Sequence, residues 1–346
     1  MDAQNSLDEW EASQQALAGL GDGLPLVPPT PQRVEAMLKR NGVDADEVVV
    51  TLAPAFGEAT WRGIAENAVM AGSLPEYLGV IAAALLAMAE NEYNLLGIQT
   101  TTGSAAPVTI VNGPVSARIG LNAAGNALGP GVRANATIGR AISLVLRNIG
   151  GAKPGEMDMA TLGHPGKYTF CFAENEEASP WPPLHATRGF SKGQSVVTVA
   201  GAAGIIEVVD SVSSNPEDLI RTFASSMVYA GSVGNMGMMG SGQPLVILPP
   251  EQALHFHQAG MSREDVQAAL FKDAGLPLDR LSQAVRERVM SHRKTAGVDV
   301  QAPVRIATQA SDILIVVAGG HGVKAAYIPT WGGSKAVSKP VTVNAV

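Results

Sequence analysis

Residues 161–181 concentrate ionisable and nucleophilic side chains in a chain that is otherwise rich in apolar residues, and they read TLGHPGKYTFCFAENEEASPW. A thiol near a histidine or a lysine can act as a nucleophile. A carboxylate near the same groups can act as a general acid or base. We therefore predict a catalytic cluster that consists of His164, Lys167, Cys171 and Glu174.

Alternatives to this chemistry remain open for two of these residues. If residues 167–172 form a strand, Lys167 and Cys171 lie on the same face of it. A lone cysteine flanked by two phenylalanines is also typical of an inert core residue. The acidic run that begins at Glu174 is also typical of a solvated loop.

Four glycines precede or punctuate the start of a predicted helix in residues 122–140, NAAGNALGPGVRANATIGR. Free backbone N–H groups at a helix N-terminus, together with a guanidinium, form a site for a phosphate or a carboxylate. We predict that Gly129, Gly131, Arg133 and Asn135 bind the anionic part of a substrate or cofactor. The glycine spacing matches neither the Walker A loop nor the dinucleotide fingerprint, so it identifies no cofactor. A tight packing loop is the alternative interpretation.

A glycine-rich turn, AGGHG in residues 318–322, directly follows the apolar run 313–317. A turn at the carboxyl end of a buried strand is a favoured ligand position in α/β sheets. We therefore predict His321 as a further catalytic residue that projects into a cleft, the alternative being an ordinary surface turn. His164 and His185 with scattered acidic residues fit no metal-ligand spacing, and we predict no metal site.

Helices and strands alternate along the chain, and one order of elements recurs. A Pro-Glu-x-Leu helix start at residues 75–78 returns at 216–219, and a Gly-Ser-x-x-Pro turn before an apolar strand at 103–111 returns at 240–248. Such recurrence predicts an internal duplication, with a ligand site in the cleft between the two units. Chance recurrence of helix, turn and strand is the alternative.

The predicted fold is therefore an α/β protein of internally duplicated helix-turn-strand units, with mixed sheets and pseudo-symmetry. Four segments make up the predicted organisation. They are an N-terminal arm (1–30), a first α/β repeat (31–150), a polar insert rich in proline and glycine (151–200) and a second α/β repeat (201–346).

Composition excludes several classes of protein. Of the 346 residues, 46% are hydrophobic and 16% are charged, which favours a large core over disorder. The net charge of −7 and the scattered lysines and arginines argue against a nucleic-acid partner. A single cysteine excludes an intrachain disulfide. The first 15 residues lack the basic and apolar regions of a signal peptide, and the apolar run 80–88 is too short to span a membrane. We expect a soluble, cytoplasmic protein with no membrane partner.

Several segments resemble a family of uncharacterised bacterial proteins. They are GDGLP at 21–25, VMAG at 69–72, RANATIGR at 133–140 and GHPGKY at 163–168. The family is similar to partners of a small protein with a Cys/Sec-Gly-Ser-Cys motif, itself similar to the selenoprotein subunits of glycine and proline reductases. The resemblance implies a second subunit that carries the reactive thiol or selenol. This chain has MGSG at 239–242 in a similar turn, without the sulfur nucleophiles, which argues against a thiol-redox role for it alone.

These observations predict an enzyme, or a subunit of a catalytic complex, that forms homo- or hetero-oligomers and acts on a small anionic molecule. The expected chemistry is acid/base-assisted cleavage or addition, of lyase or hydrolase type. Arg133 would bind the anion, and His164 or Glu174 would transfer the proton. The competing hypothesis is a non-catalytic binding or scaffolding subunit of a two-component, thiol- or selenol-dependent enzyme.

Overall fold

Two four-stranded mixed sheets pack face to face, and helices cover the outer face of each sheet. This four-layer α/β/β/α arrangement is seen in a computed structural model that describes residues 3–228 and 242–343, with side chains from residue 7 onward. It confirms the predicted α/β class with mixed sheets. The predicted Gly-Ser turn at 240–241 lies outside the described residues. No helix in the described ranges is both long and apolar enough to cross a membrane.

The helices of the described ranges are mostly short. In chain order they are α1 (Ala3–Leu17), α2 (Pro31–Asn41), α3 (Trp61–Ala71), α4 (Leu78–Met88), α5 (Leu95–Thr100), α6 (Pro114–Arg118), α7 (Arg133–Asn148), α8 (Leu184–Thr187), α9 (Pro216–Met227), α10 (Pro250–Gln258), α11 (Arg263–Asp273) and α12 (Gln283–Ala296).

The strands form the two large sheets and two short antiparallel ribbons, which are β1 with β2 and β8 with β9. In chain order they are β1 (Val48–Leu52), β2 (Gly57–Thr60), β3 (Ala106–Asn112), β4 (Cys171–Ala173), β5 (Val196–Ala202), β6 (Ile206–Val209), β7 (Leu245–Leu248), β8 (Gly275–Leu276), β9 (Val304–Arg305), β10 (Leu314–Val317), β11 (Lys324–Ile328) and β12 (Val337–Pro340).

The central strands read as continuous apolar runs because both of their faces are buried. On β3, Val108 and Ile110 lie in the layer between the two sheets, together with Leu245 of β7. Val111 of β3 instead packs in the core under the first helix layer, which α3, α4 and α7 form. Alternation of side chains along one strand thus supplies two separate cores.

The two large sheets have the same strand order and directions. In the first, β3 pairs with β4 in parallel and with β5 antiparallel, and β12 adds antiparallel to β5. In the second, β7 pairs with β10 in parallel and with β11 antiparallel, and β6 adds antiparallel to β11. The outer strands are exchanged, since β6 follows β5 in the chain but joins the second sheet, and β12 follows β11 but joins the first. An internal duplication requires this likeness in strand order and direction, and the duplication stays a prediction.

The strands also cross the predicted unit boundaries. Strand β4 and most of β5 come from the predicted polar insert, yet both extend the first sheet. The N-terminal arm begins with α1, and Gln14 joins this helix to the backbone of Leu26 through two hydrogen bonds of 2.8 and 2.9 Å. Farther along, the Asp22 carboxylate accepts two hydrogen bonds from Arg140 of α7.

The predicted strand over residues 167–172 is wrong in extent, because only Cys171–Ala173 forms a strand. Pro165–Lys167 instead forms a turn of 3-10 helix, which the His164 side chain caps. Lys167 and Cys171 therefore do not share a strand face. The His164 cap favours the helical turn over the predicted strand, because a side-chain acceptor before Pro-Gly stabilises a helical turn relative to an extended chain.

A buried ion pair joins the two halves of the chain. The Glu174 carboxylate lies 3.1 Å from a terminal nitrogen of Arg263, and the two side chains are 0% and 3% exposed. Glu174 also accepts hydrogen bonds from Asn112 Nδ2 at 2.6 Å and from the Leu184 N–H at 2.7 Å. Burial raises the pKa of Glu174, while the Arg263 guanidinium and these two donors oppose the rise. We call these four residues the Glu174 network.

We predict that Arg263→Met lowers the free energy of unfolding by about 3–5 kcal/mol, because it leaves a buried carboxylate without its counter-charge. Urea denaturation measures the loss. The matched control is Arg221→Met, which removes an exposed ion pair with Asp218 and should cost about 1 kcal/mol or less. Glu174→Gln added to Arg263→Met should restore part of the loss. Similar small losses for both single variants would contradict an energetic role for the network.

Candidate functional site

A cavity of about 590 Å³ lies between the C-terminal half of α7, the start of β3 and the segment 152–168. We call it the α7 cavity. Its volume is within the range of about 300–1,000 Å³ that is typical of small-molecule sites. The side chains of its lining that carry polar or ionisable groups are Asp22, Gln99, Ser143, Arg147, Asp158, His164, Lys167 and Tyr168.

A close approach of two backbones places α7 against the predicted polar insert (151–200), directly after the lining segment 152–168. At Gly139 of α7, a Cβ atom would lie 2.5 Å from Thr169 Oγ1 and 2.7 Å from the Phe170 nitrogen. Only glycine permits this distance, because a real Cβ would overlap both atoms. The contact holds the segment beside the helix, so that Arg147 and Lys167 line the same cavity.

Arg147 contributes the most informative group of the cavity. Its Nε atom is buried and has no hydrogen-bond partner among the described residues. Arg140, seven residues earlier on the same face of α7, is instead neutralised by Asp22 at 2.7 Å. A guanidinium stays charged in proteins, and a buried donor without an acceptor is costly. Arg147 is therefore suited to an anionic group that enters the cavity.

Lys167 and Asp158 form a second charged feature of the cavity wall. The Lys167 ammonium lies 2.7 and 2.5 Å from the two Asp158 carboxylate oxygens. Their side chains keep 25% and 14% of their surface exposed, so both remain within reach of a bound molecule. Asp158 Oδ1 also accepts from the Ala160 N–H at 3.1 Å. The pair is close to neutral as a unit.

His164 lines the cavity, as the sequence predicts, but both of its ring nitrogens are engaged. Its Nδ1 accepts from the Gly166 N–H at 3.1 Å, which requires that Nε2 carry the proton. The Nε2–H group points to the Ala202 carbonyl at 3.3 Å. Burial lowers the pKa of His164, so the ring is neutral at pH 7. In this arrangement His164 shapes the turn, and neither nitrogen is free to accept a proton from a ligand.

Cys171 is not placed for chemistry. It is buried in the core under the first helix layer, and burial raises the pKa of its thiol. A thiol of this kind is a poor nucleophile, because the reactive thiolate is disfavoured away from water. The alternative interpretation, an inert core cysteine, fits the structure.

Glu174 does not meet His164, contrary to the predicted cluster. His164 contacts Ala202, the register partner of Ala106 at the start of β3, whereas Glu174 bonds to Val111 near the end of that strand. Ala106 and Asn112 are six positions apart on this strand, a distance of roughly 20 Å. The predicted cluster is wrong here because β4 runs away from His164. It carries Glu174 to the opposite end of the strands of this sheet.

The predicted anion-binding loop lies at the other end of α7 from the cavity. Arg133 is exposed and donates through Nε to the Gly72 carbonyl at 2.8 Å. Asn135 is buried, accepts from the Asn122 N–H and donates to the Asn122 and Ala127 carbonyls, so its amide anchors the loop. Fourteen residues of helix place Arg133 about 21 Å from Arg147. Anion binding by Gly129, Gly131 and Arg133 stays a prediction that no contact supports.

His321 is exposed on a turn that contacts this loop and not the α7 cavity. The Gly319 N–H donates to the Ala123 carbonyl at 2.8 Å, and Gly320 lies against Gly125. The structure thus brings His164 and Lys167 together in one cavity. At the opposite end of β3 it brings Glu174, the 122–131 loop and the His321 turn near one another, since the Ala173 N–H donates to the Asn122 carbonyl at 3.4 Å and the Asn175 N–H donates to the Val317 carbonyl at 2.7 Å.

Sequence reasoning missed Arg147 and Asp158. A signal for Arg147 was present, since Arg140, Ser143 and Arg147 recur at helical spacing on one face of the predicted helix. For Asp158, no motif marks the residue, and its role depends on a turn that brings it to Lys167 nine positions later.

The chain matches no protein-family model, no curated protein and no solved structure.

We predict that His164 makes the protein less stable as the pH falls from about 7.5 to 5.5. Its pKa is lower in the folded state, so the unfolded state takes up a proton first, near its ordinary pKa of about 6.5. Stability is therefore lost as the pH falls through that value. His164→Asn keeps a capping acceptor without a titrating ring, and should reduce this loss.

Urea denaturation at the two pH values measures the effect. The control is His292→Asn, at an exposed histidine of α12, which should leave the pH dependence of the wild type unchanged. An unchanged pH dependence in His164→Asn would show that the engaged ring nitrogens do not govern the titration.

Proposed function

We propose that this protein binds a small anionic molecule in the α7 cavity, as an enzyme or as a subunit of a catalytic complex. The observation that carries the proposal is Arg147, a cation of the cavity wall whose buried Nε has no partner among the described residues. An anion at this position would supply the missing acceptor. A hydrogen bond to a charged group contributes about 1.5–3 kcal/mol, enough to select a ligand.

Capture of small molecules tests the binding proposal. The purified chain is incubated with a cell extract, washed, and its bound molecules are identified by mass spectrometry. The wild type should retain an anionic compound, and Arg147→Gln should lose most of it. Arg133→Gln tests the competing anion site on the same helix. Loss of the compound with Arg133→Gln alone would return the site to residues 125–131 and overturn the proposal.

A second proposal adds catalysis, through Lys167 and Asp158 in place of His164. A lysine and a carboxylate in contact can pass a proton to or from a bound molecule, as acid/base-assisted cleavage or addition requires. The supporting observation is that this pair lines the cavity and keeps part of its surface exposed. The engaged nitrogens of His164 favour the pair over the imidazole as the proton-transfer group.

We predict that Lys167→Met and Asp158→Asn each lower turnover of the captured compound by about 100-fold or more, in the range of acid/base groups. Product formation by mass spectrometry measures turnover. Lys192→Met, at an exposed lysine away from the cavity lining, is the matched control. Unchanged turnover in both variants would remove the catalytic proposal and leave binding intact.

The non-catalytic alternative is a binding or scaffolding subunit of a two-component enzyme, in accord with the family resemblance. Exposed apolar side chains on either side of Asp158 in the chain, and at Leu162 of the cavity lining, support a protein partner. Met157 and Met159 are 43% and 51% exposed, and Leu162 is 92% exposed. The capture experiment also reports this partner, since a second subunit would be recovered with the tagged chain. We also propose that the protein forms oligomers and is located in the cytoplasm.

A further inference from the structure

We infer that the ligand of the α7 cavity is a monocarboxylate with an apolar body. The inference rests on the proposed binding function and narrows it to one chemical class. Three features carry it, namely the charge balance of the lining, the position at the end of a helix and the apolar walls.

Charge balance in the cavity leaves room for a single negative charge. Asp158 is neutralised by Lys167, and Asp22 by Arg140. Arg147 is then the cation of the described lining that has no carboxylate within ion-pair distance. One guanidinium matches one carboxylate, whose two oxygens fit its fork of N–H donors.

Helix polarity disfavours a more highly charged ligand. Arg147 lies in the last turn of α7, where the free carbonyl groups carry partial negative charge. Phosphate sites commonly use the opposite end of a helix, where backbone N–H groups converge. A dianionic phosphate would therefore meet a helix C-terminus and two nearby carboxylates with one unpaired cation to balance it.

Much of the remaining wall is apolar, with Gln99, Ser143, His164 and Tyr168 as its polar side chains. The lining includes Ala106 and Pro107 at the start of β3, Leu144 of α7, and Ala152 and Leu162 of the segment 152–168. These side chains favour a hydrocarbon body, because binding would remove its apolar surface from water. The cavity therefore matches a carboxylate attached to an alkyl or aryl group.

A panel of matched ligands tests the inference. Benzoate, benzamide and phenyl phosphate share one ring and differ in charge, as do hexanoate, hexanamide and hexyl phosphate for an alkyl body. Acetate carries the charge without a body. Affinities are measured by titration calorimetry, with ligand-observed NMR for weak binding, on the wild type, on Arg147→Gln and on the control Arg62→Gln. Arg62 is an exposed arginine of α3.

At least one carboxylate should bind about tenfold or more tightly than its amide and its phosphate ester, and more tightly than acetate. Arg147→Gln should abolish the preference, whereas Arg62→Gln should keep it. Urea denaturation confirms that each variant is folded. Tighter binding of the phosphate esters would overturn the carboxylate class and keep the anion proposal. Equal binding of amides and carboxylates, or no binding of any carboxylate, would overturn this inference, and loss of the captured anion's dependence on Arg147 would overturn the proposed function.

Discussion

Burial of both faces of the central strands is the constraint on which the rest of the structure depends. Strand β3 has helices on one side and the second sheet on the other, so its middle offers only apolar side chains and Thr109, which is 1% exposed. Ionisable groups can therefore gather only at its two ends, where the chain leaves the layers. The α7 cavity lies at the start of β3, and the Glu174 network lies at its end. The two differ because one end is open to solvent and the other is closed.

Most charged groups of the two sites have a charged partner, although Nε and Nη1 of Arg263 are buried without a hydrogen-bond partner among the described residues. Glu174 is buried, and its carboxylate bonds to Arg263, Asn112 and a backbone N–H. These contacts give the carboxylate a structural role. In the cavity, Asp22 and Asp158 are paired, and Arg147 is the cation whose Nε lacks a partner within the described residues. An unsatisfied donor is costly in a closed site and useful in an open one, because a ligand can supply the acceptor. The position of Arg147 in the wall of the α7 cavity, where a ligand can reach it, makes this residue the centre of the proposed function.

The exchange of outer strands links the two sheets into one unit. Strand β12, from the end of the chain, pairs with β5, and β6 pairs with β11, so neither sheet is complete without residues from the other half. The Glu174–Arg263 ion pair adds a polar link between the same halves. The predicted organisation in consecutive segments does not contain this exchange. Each exchanged strand belongs to one sheet, whereas the strand before it in the chain belongs to the other. The turn of His321 contacts the loop at 123–125 and not His164.

The sequence by itself determined the class of fold and part of the cavity. Apolar runs and helical spacing predicted α7, β7 and β10, and the dense polar segment predicted His164 and Lys167. Only the tertiary structure decided which charges meet. Arg140 and Arg147 look alike on one helix face, yet Asp22, 118 residues away, pairs with Arg140. The sequence around Glu174 is typical of a solvated loop, yet Glu174 forms a buried ion pair with Arg263, 89 residues away. Periodicity records which face of an element is apolar, whereas the partner of a charge depends on contacts between distant segments, which no local pattern encodes.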